Sequence, residues 1–145
     1  MRVTACLAAS LLLAGCSFFD TEFVDTPRLD EIKSIGTVDP EAAWRPSRLD
    51  DFPEANLLVH VELCGMDGGD IHHAALARAD AIADVDERQT WLDAYVTAVD
   101  VFERQVRYNL ASGSISSKSS GCSRADEAYA AWRDTGALPR RLLGG

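Results

Sequence analysis

The segment between residues 87 and 111 carries an apolar residue at every third or fourth position, and this periodicity constrains the fold more than any other feature. Charged residues fill many of the positions between them. Because an α-helix turns once in 3.6 residues, the pattern places the apolar side chains on one face. These side chains are Leu92, Tyr95, Val96, Val99, Phe102, Val106 and Leu110. They predict a helix from about residue 87 to residue 111, for which Asp86 and Gln89 have the spacing of a capping box.

Two shorter helices are indicated nearer the amino terminus by residues that favour helix ends. Thr26 can cap a helix that begins at Pro27, and Gly36 can end it. The dipeptide Asp39-Pro40 repeats this start, and Pro46 would stop the helix that follows.

A third helix is indicated after Asp51, which forms a capping box with Glu54, and Gly65 can close this helix. Residues 57–63 leave a second possibility open, because apolar side chains alternate there as they do in a short strand. The capping residues and the terminal glycine favour the helix.

The next segments are a glycine-rich loop at residues 65–70 and a helix that Asp70 can cap. Alanines give this helix a surface of small residues that suits close packing, and it is expected to reach about Asp84.

A serine-rich segment follows the long helix. Residues 112–121 contain six serines and two glycines, a composition that predicts a flexible loop. Ser123 and Asp126 form a capping box for a last helix, which reaches Thr135 and which Gly136 can stop.

The first fifteen residues have the parts of a secretory signal. Arg2 supplies the positive start, and an apolar stretch extends from Val3 to Leu13. This stretch is shorter than the roughly 20 residues that span a bilayer. The signal closes with the tetrapeptide Leu13-Ala14-Gly15-Cys16.

This tetrapeptide resembles the lipobox of bacterial lipoproteins. The resemblance implies that the chain is cut before Cys16, whose thiol carries a diacylglyceryl group and whose amino group carries a further acyl chain such as palmitate. Ser17 occupies the position where aspartate retains lipoproteins of enteric bacteria in the inner membrane, so the expected location is the outer membrane, facing the periplasm. An ordinary cleaved signal with an incidental cysteine is the alternative.

The four cysteines then leave a single pair. Cys6 would be removed with the signal and Cys16 would carry lipid, so only Cys64 and Cys122 remain. Because the exported side of the membrane is oxidising, the sequence predicts a disulfide between them. A free buried pair and a metal site are the alternatives, and the absence of a Cys-x-x-Cys spacing disfavours the metal site.

These observations predict an all-α fold, a small bundle of about four helices with one disulfide, after a signal peptide and a tether. The expected divisions are residues 1–15 for the signal peptide, 16–26 for the lipidated cysteine and tether, 27–136 for the helical domain and 137–145 for a flexible tail.

The charge of the chain limits its partners. Without residues 1–15 it has 13 basic and 23 acidic residues. So acidic a protein is not expected to bind nucleic acid, which requires clustered Lys and Arg, nor to lie with its body on anionic lipid. The membrane contact is therefore expected from the lipid on Cys16, and the remaining partner is expected to be an envelope protein.

No residue pattern indicates catalysis, a metal or a cofactor beyond the covalent lipid. His72 and His73 are adjacent, so on a helix they point about 100° apart, and they lack the i, i+4 spacing of a metal face. Asp70 and His73 are three residues apart, although Asp70 suits a helix cap. Asp67 and Asp70 lack the ladder of a calcium loop. The prediction is a protein that is not an enzyme.

The large aromatic residues are expected in the core or at its rim, because a bundle of this size needs large side chains. A groove that binds a partner is the alternative for some of them. The residues are Trp44, Trp91, Tyr95, Tyr129 and Trp132.

Residues 52–135 have the order helix and Cys64, two helices, Cys122 and helix, which resembles the PulS/OutS-type pilotins of type II secretion. The resemblance implies a groove between helices that binds the tail of an outer-membrane secretin subunit. The expected function is a non-catalytic binding or assembly role in the envelope. Alternatives are a pilotin-like chaperone for a secretin, a tethered periplasmic inhibitor or scaffold and, least favoured, an enzyme.

Overall fold

The computed structural model describes residues 26–41, 51–111 and 118–137. These residues form no strand, and their five helices are α1 (Pro27–Lys33), α2 (Pro53–Leu63), α3 (Gly69–Asp80), α4 (Val85–Ala111) and α5 (Lys118–Thr135). The all-α bundle is thus confirmed, with four longer helices and the short α1. The predicted signal peptide, the tether before Thr26, the helix before Pro46 and the tail after Ala137 lie outside the described residues.

Helix α2 is the centre of the bundle and packs against each of the other four helices. Eight of its eleven residues are buried, from Ala55 to Leu63. A helix that is apolar on all sides is one that is enclosed by its neighbours. This explains why residues 57–63 gave no clear helical period and allowed a strand as the alternative. The helix prediction for this segment is confirmed.

The start of α2 differs from the prediction. Phe52 is its N-cap residue and no side chain caps it, so the Asp51–Glu54 capping box is wrong. The Glu54 carboxylate instead accepts a hydrogen bond of 2.7 Å from Arg78 of α3. Gly65 ends the helix as expected, with φ of 76°.

Thr26 occupies the N-cap position of α1 without a side-chain capping bond, because its backbone carbonyl accepts from Leu29 N instead. Pro27 lies at the helix start as predicted. Leu29 and Ile32 are buried, and Lys33 binds Glu103 of α4 at 2.7 Å. These contacts fix α1 against the bundle.

The boundary between α3 and α4 also corrects the prediction. Gly68, not Asp70, is the N-cap residue of α3, and the helix ends at Asp80, four residues before Asp84. The Asp84 carboxylate accepts from Glu87 N at 2.8 Å and so caps α4, which makes the Asp86–Gln89 capping box wrong. The long helix itself is confirmed, beginning two residues earlier than predicted.

Helix α5 begins inside the serine-rich segment, so the predicted loop over 112–121 is wrong for its last four residues. Ser123 and Asp126 lie within the helix and form no capping box at its start. Gly121 and Ala125 are buried, which shows that packing overrides the loop-like composition here. Gly136 ends the helix with φ of 65°, as predicted.

Candidate binding cleft

An open cleft of about 990 Å³ lies between α1, the loop that joins α2 to α3, the first turn of α3, and α5. Its apolar lining consists of Ile32, Ile35 and Met66. The rest of the lining is mostly polar or charged. It comprises Arg28, Glu31, Asp67, Asp70, His72, His73, Asp126, Tyr129 and Arg133, together with Gly69.

The wall formed by α1 is joined to the loop by an arginine. The Arg28 guanidinium forms an ion pair with Asp67 and lies 3.4 Å from a carboxylate oxygen of Glu62. The hydrogen bond to Asp67 raises the pKa of Arg28, and the Glu62 charge adds to it. The backbone N–H of Gly69, followed by Arg28, lowers the pKa of Asp67. Both groups are therefore charged near neutral pH.

The loop itself is fixed on α2. The buried carboxylate of Glu62 accepts a hydrogen bond of 2.8 Å from Gly68 N. A Cβ atom at Gly68 would lie 2.7 Å from the end of the buried Leu58 side chain, so any other residue would require Leu58 to shift. This contact sets the position of Met66 and Asp67 in the cleft.

The wall formed by α5 is attached to the same loop by Tyr129. Its hydroxyl donates to the backbone carbonyl of Asp67 at 2.8 Å and also bonds to the Asp70 carboxylate. Burial, and then the Asp70 hydrogen bond, raise the pKa of Tyr129 to about 12, so the hydroxyl remains a donor. The guanidinium of Arg133 lies 4.4 Å from the centre of the Tyr129 ring, a cation–π distance.

At the base of the cleft, His72 stacks on the buried Tyr95, with ring centres 5.9 Å apart. Tyr95 also stacks on Trp91, and Phe52 contacts the Trp91 ring edge-on. Burial, and then the nearby His73 and Arg28, lower the pKa of His72. Burial raises the pKa of Tyr95. We therefore assign the 3.1 Å contact between them as a bond from the Tyr95 hydroxyl to Nδ1 of a neutral imidazole.

One ring nitrogen of His72 already has a partner inside the protein. Nδ1 of His72 is occupied by a buried phenol, so it is not free to take a proton from a group in the cleft. Asp70 and His73 line the cleft with His72. Within residues 26–41, 51–111 and 118–137, no three His, Cys, Asp or Glu side chains are grouped so that they could hold a metal ion.

The predicted cysteine pair is present as a Cys64–Cys122 disulfide, with Cα atoms 5.5 Å apart. Cys64 follows the last residue of α2 as expected, whereas Cys122 lies inside α5 and not before it. Cys16 lies outside the described residues, so its lipidation stays a prediction.

The predicted aromatic residues within the described segments belong to the core or its rim. Tyr95 and Tyr129 are buried, while Trp91 and Trp132 are partly buried and pack against the core. Trp44 lies outside the described residues. Tyr129 also forms part of the cleft, so the core and groove interpretations both apply to it.

Sequence reasoning did not find Arg28 and Arg133, and it named Tyr129 only as one of five aromatic residues that could line a groove. These residues come from segments far apart in the chain, and no local spacing connects them. The glycine-rich loop at residues 65–70 was the one feature of the sequence that could have indicated the cleft. It contains Asp67 and Asp70, which α1 and α5 contact.

Comparison with known protein families, with curated proteins and with solved structures finds no significant match for this chain. In the part of the chain that the structure describes, no helix is both long enough and apolar enough to cross a membrane.

Proposed function

We propose that this chain is a bacterial envelope lipoprotein, anchored by lipid on Cys16, whose helical domain has a non-catalytic binding or assembly role. The observation that carries the proposal is the Leu13-Ala14-Gly15-Cys16 tetrapeptide at the end of a secretory signal. The Cys64–Cys122 disulfide supports it, because such a bond persists on the oxidising, exported side of the membrane. Ser17 favours the outer membrane.

The cleft supports a binding role. Its walls are joined by hydrogen bonds and ion pairs among Arg28, Asp67, Asp70 and Tyr129, so its shape is formed before a partner arrives. Apolar side chains lie beside exposed charges, a combination typical of surfaces that bind polypeptides.

Mass spectrometry of the protein extracted from membranes tests the anchor. We expect the mass of residues 16–145 plus acyl chains, and we expect Cys16→Ser to abolish both the acylation and the cleavage before residue 16. Cys6→Ser is the matched control, since it changes another cysteine of the signal and should leave both unaffected. An unmodified mass, or a Cys16→Ser protein that is cut and anchored normally, contradicts the proposal.

A pilotin-like chaperone is a second candidate, favoured by the position of the disulfide. The bond joins the end of α2 to α5, with α3 and α4 between them in the sequence, as the pilotin layout requires. The test is affinity purification from detergent-solubilised envelope with a tag on this chain. Recovery of a secretin subunit, lost in a cleft variant such as Ile35→Glu, is the expected result. Recovery of no secretin would eliminate this candidate and leave the lipoprotein proposal in place.

A further inference from the structure

Helix α5 forms one wall of the cleft, yet it contributes little large apolar surface to the core. It packs chiefly on α2. Among its described side chains the buried apolar ones are Ala125, Ala128 and Tyr129. Helix α4, by contrast, buries several large side chains completely. Because the hydrophobic contribution scales with the apolar area removed from water, α5 is held less firmly by packing than α4.

Two specific attachments compensate for this limited packing. One is the Cys64–Cys122 disulfide, which fastens the beginning of α5 to the end of α2. The other is Tyr129, seven residues further along, whose hydroxyl bonds to Asp67 and Asp70. Residues seven apart lie on the same side of a helix, so both attachments act on the face that meets the bundle. Both cysteines are partly exposed and can therefore be reached by a thiol.

We propose that the Cys64–Cys122 disulfide is a redox-sensitive latch that holds α5 closed over the cleft, and that its reduction lets α5 detach while α1 to α4 stay packed. A dithiol reductant supplies the two electrons. Its thiolate attacks one sulfur, breaks the S–S bond and forms a mixed disulfide. Its second thiol then displaces that sulfur, so the reductant leaves as a disulfide and Cys64 and Cys122 become thiols.

The physical basis is the difference between local and global opening. A cross-link removes from the opened state the conformations in which its two ends move apart. Once the link between α2 and α5 is cut, the described contacts that oppose detachment of α5 are mainly Ala125 and Ala128, the buried ring and hydroxyl bonds of Tyr129, and the partly buried Trp132. Large buried side chains of α1, α2, α3 and α4 continue to hold the remaining core together.

The latch has a consequence that rests on the proposed function. If the chain is exported, its cysteines are reduced before export and oxidised afterwards. The wall formed by α5 is then held in place only on the oxidising, exported side of the membrane, where the partner is expected.

Hydrogen exchange of the purified full chain, read by mass spectrometry, tests the latch. The oxidised protein is compared with the protein held in excess dithiothreitol. We expect the amides of residues 123–135 to exchange at least tenfold faster after reduction. Those of residues 55–63 in α2 and 95–106 in α4 should change less than twofold. The double variant Cys64→Ala/Cys122→Ala should show the reduced pattern without dithiothreitol and should not respond to it.

Two results would overturn the latch. Unchanged exchange in α5 after complete reduction would show that packing alone holds this helix. Equal acceleration in α2, α4 and α5 would show that the bond stabilises the whole fold and not one wall. Neither result depends on the lipid, because exchange is measured on the folded helices. A failed latch therefore leaves the Cys16 anchor untouched, and a failed anchor leaves the latch untouched.

Discussion

At the scale of single residues, Tyr129 connects the parts of the cleft. Its ring packs in the core, and its hydroxyl bonds to the loop and to α3. The guanidinium of Arg133 lies over the face of the ring. A buried tyrosine commonly finds such a partner, because a phenol left unpaired in the interior costs free energy. The hydroxyl contributes here by positioning α5, which the ring alone would not do.

Removal of that hydroxyl should weaken the protein measurably. We expect Tyr129→Phe to lower the free energy of unfolding by about 1.5 kcal/mol, since it deletes bonds to a carbonyl and a carboxylate. Urea unfolding followed by circular dichroism measures this. Tyr108→Phe is the control, because Tyr108 is 71% exposed and should lose almost nothing. Equal losses in the two variants would contradict the role assigned to Tyr129.

His60 makes stability depend on pH. Burial lowers the pKa of His60 below its ordinary 6.5, although its Nδ1 bond to the Asn56 carbonyl opposes this. The unfolded chain therefore binds the proton more readily than the folded chain. The contribution of His60 to stability is fully present above pH 6.5, the pKa of its imidazole in the unfolded chain. This contribution is lost as the pH falls from 6.5 towards the lower pKa of the folded chain.

Urea unfolding between pH 7.5 and pH 5.5 should thus show a decline in the free energy of unfolding. We expect His60→Gln to reduce this slope, whatever the variant's stability at pH 7.5. His73→Gln is the control for the substitution itself, because His73 is exposed. His72, whose pKa burial also lowers, acts in the same direction as His60. A slope in His60→Gln as steep as in the wild type would refute the assignment.

At the scale of elements, two glycines are required for different physical reasons. Gly68 has contacts that a Cβ atom would violate, the nearest being Leu58 at 2.7 Å. Gly136 has open space around it but a φ of +65°, which L side chains rarely adopt. The first is a matter of packing between the loop and α2, and the second is a matter of backbone conformation after α5.

Paired substitutions distinguish these reasons. We expect Gly68→Ala to destabilise by about 1–3 kcal/mol and the larger Gly68→Val, which cannot cap α3 either, to cost more. Gly136→Ala should cost about 1–2 kcal/mol, whereas Gly136→Asn should cost less, because asparagine tolerates the left-handed region. Thermal unfolding of the four variants gives the comparison. A Gly68→Val variant as stable as Gly68→Ala would contradict the packing explanation, and a Gly136→Asn variant no more stable than Gly136→Ala would contradict the conformational one.

The helix ends show where sequence patterns are weakest. The predicted cap of the long helix was Asp86, and the structure uses Asp84. Glu54 has capping spacing but pairs with Arg78, and Ser123 lies inside α5. Tertiary contacts make these choices, because each cap contributes only about 1 kcal/mol and a neighbouring helix can offer as much.

At the scale of the whole molecule, the excess of negative charge opposes compaction. The chain carries a net charge of −9 at pH 7. Its ion pairs include exposed ones such as Arg104–Asp100, which contribute at most about 1 kcal/mol each. Repulsion between unpaired carboxylates is therefore expected to exceed the attraction within these pairs.

The melting temperature should accordingly rise with ionic strength. Between 10 and 100 mM sodium chloride the Debye length falls from about 30 Å to about 10 Å, which screens long-range repulsion first. We expect an increase of a few degrees by differential scanning calorimetry. A decrease would mean that attractive pairs dominate the electrostatics of this fold.

The sequence by itself determined the class of the fold, the long helix α4 and the identity of the cysteine pair. These follow from local periodicity and from elimination, which need no knowledge of how the chain folds back on itself. It also contains the signal-like apolar stretch and the lipobox-like tetrapeptide, on which the proposed anchor depends.

Only the tertiary structure determines where the cleft lies and which residues line it. Arg28 and Asp67 are 39 residues apart in the chain, and Asp67 and Tyr129 are 62 apart. No pattern in the sequence relates positions so distant, because their contact results from how α1, α2 and α5 pack. The pairing of Cys64 with Cys122 could be predicted by elimination, but the position of the bond in the cleft wall formed by α5 could not. That position depends on which helix α5 lies against, and the shape of the assembled core fixes it.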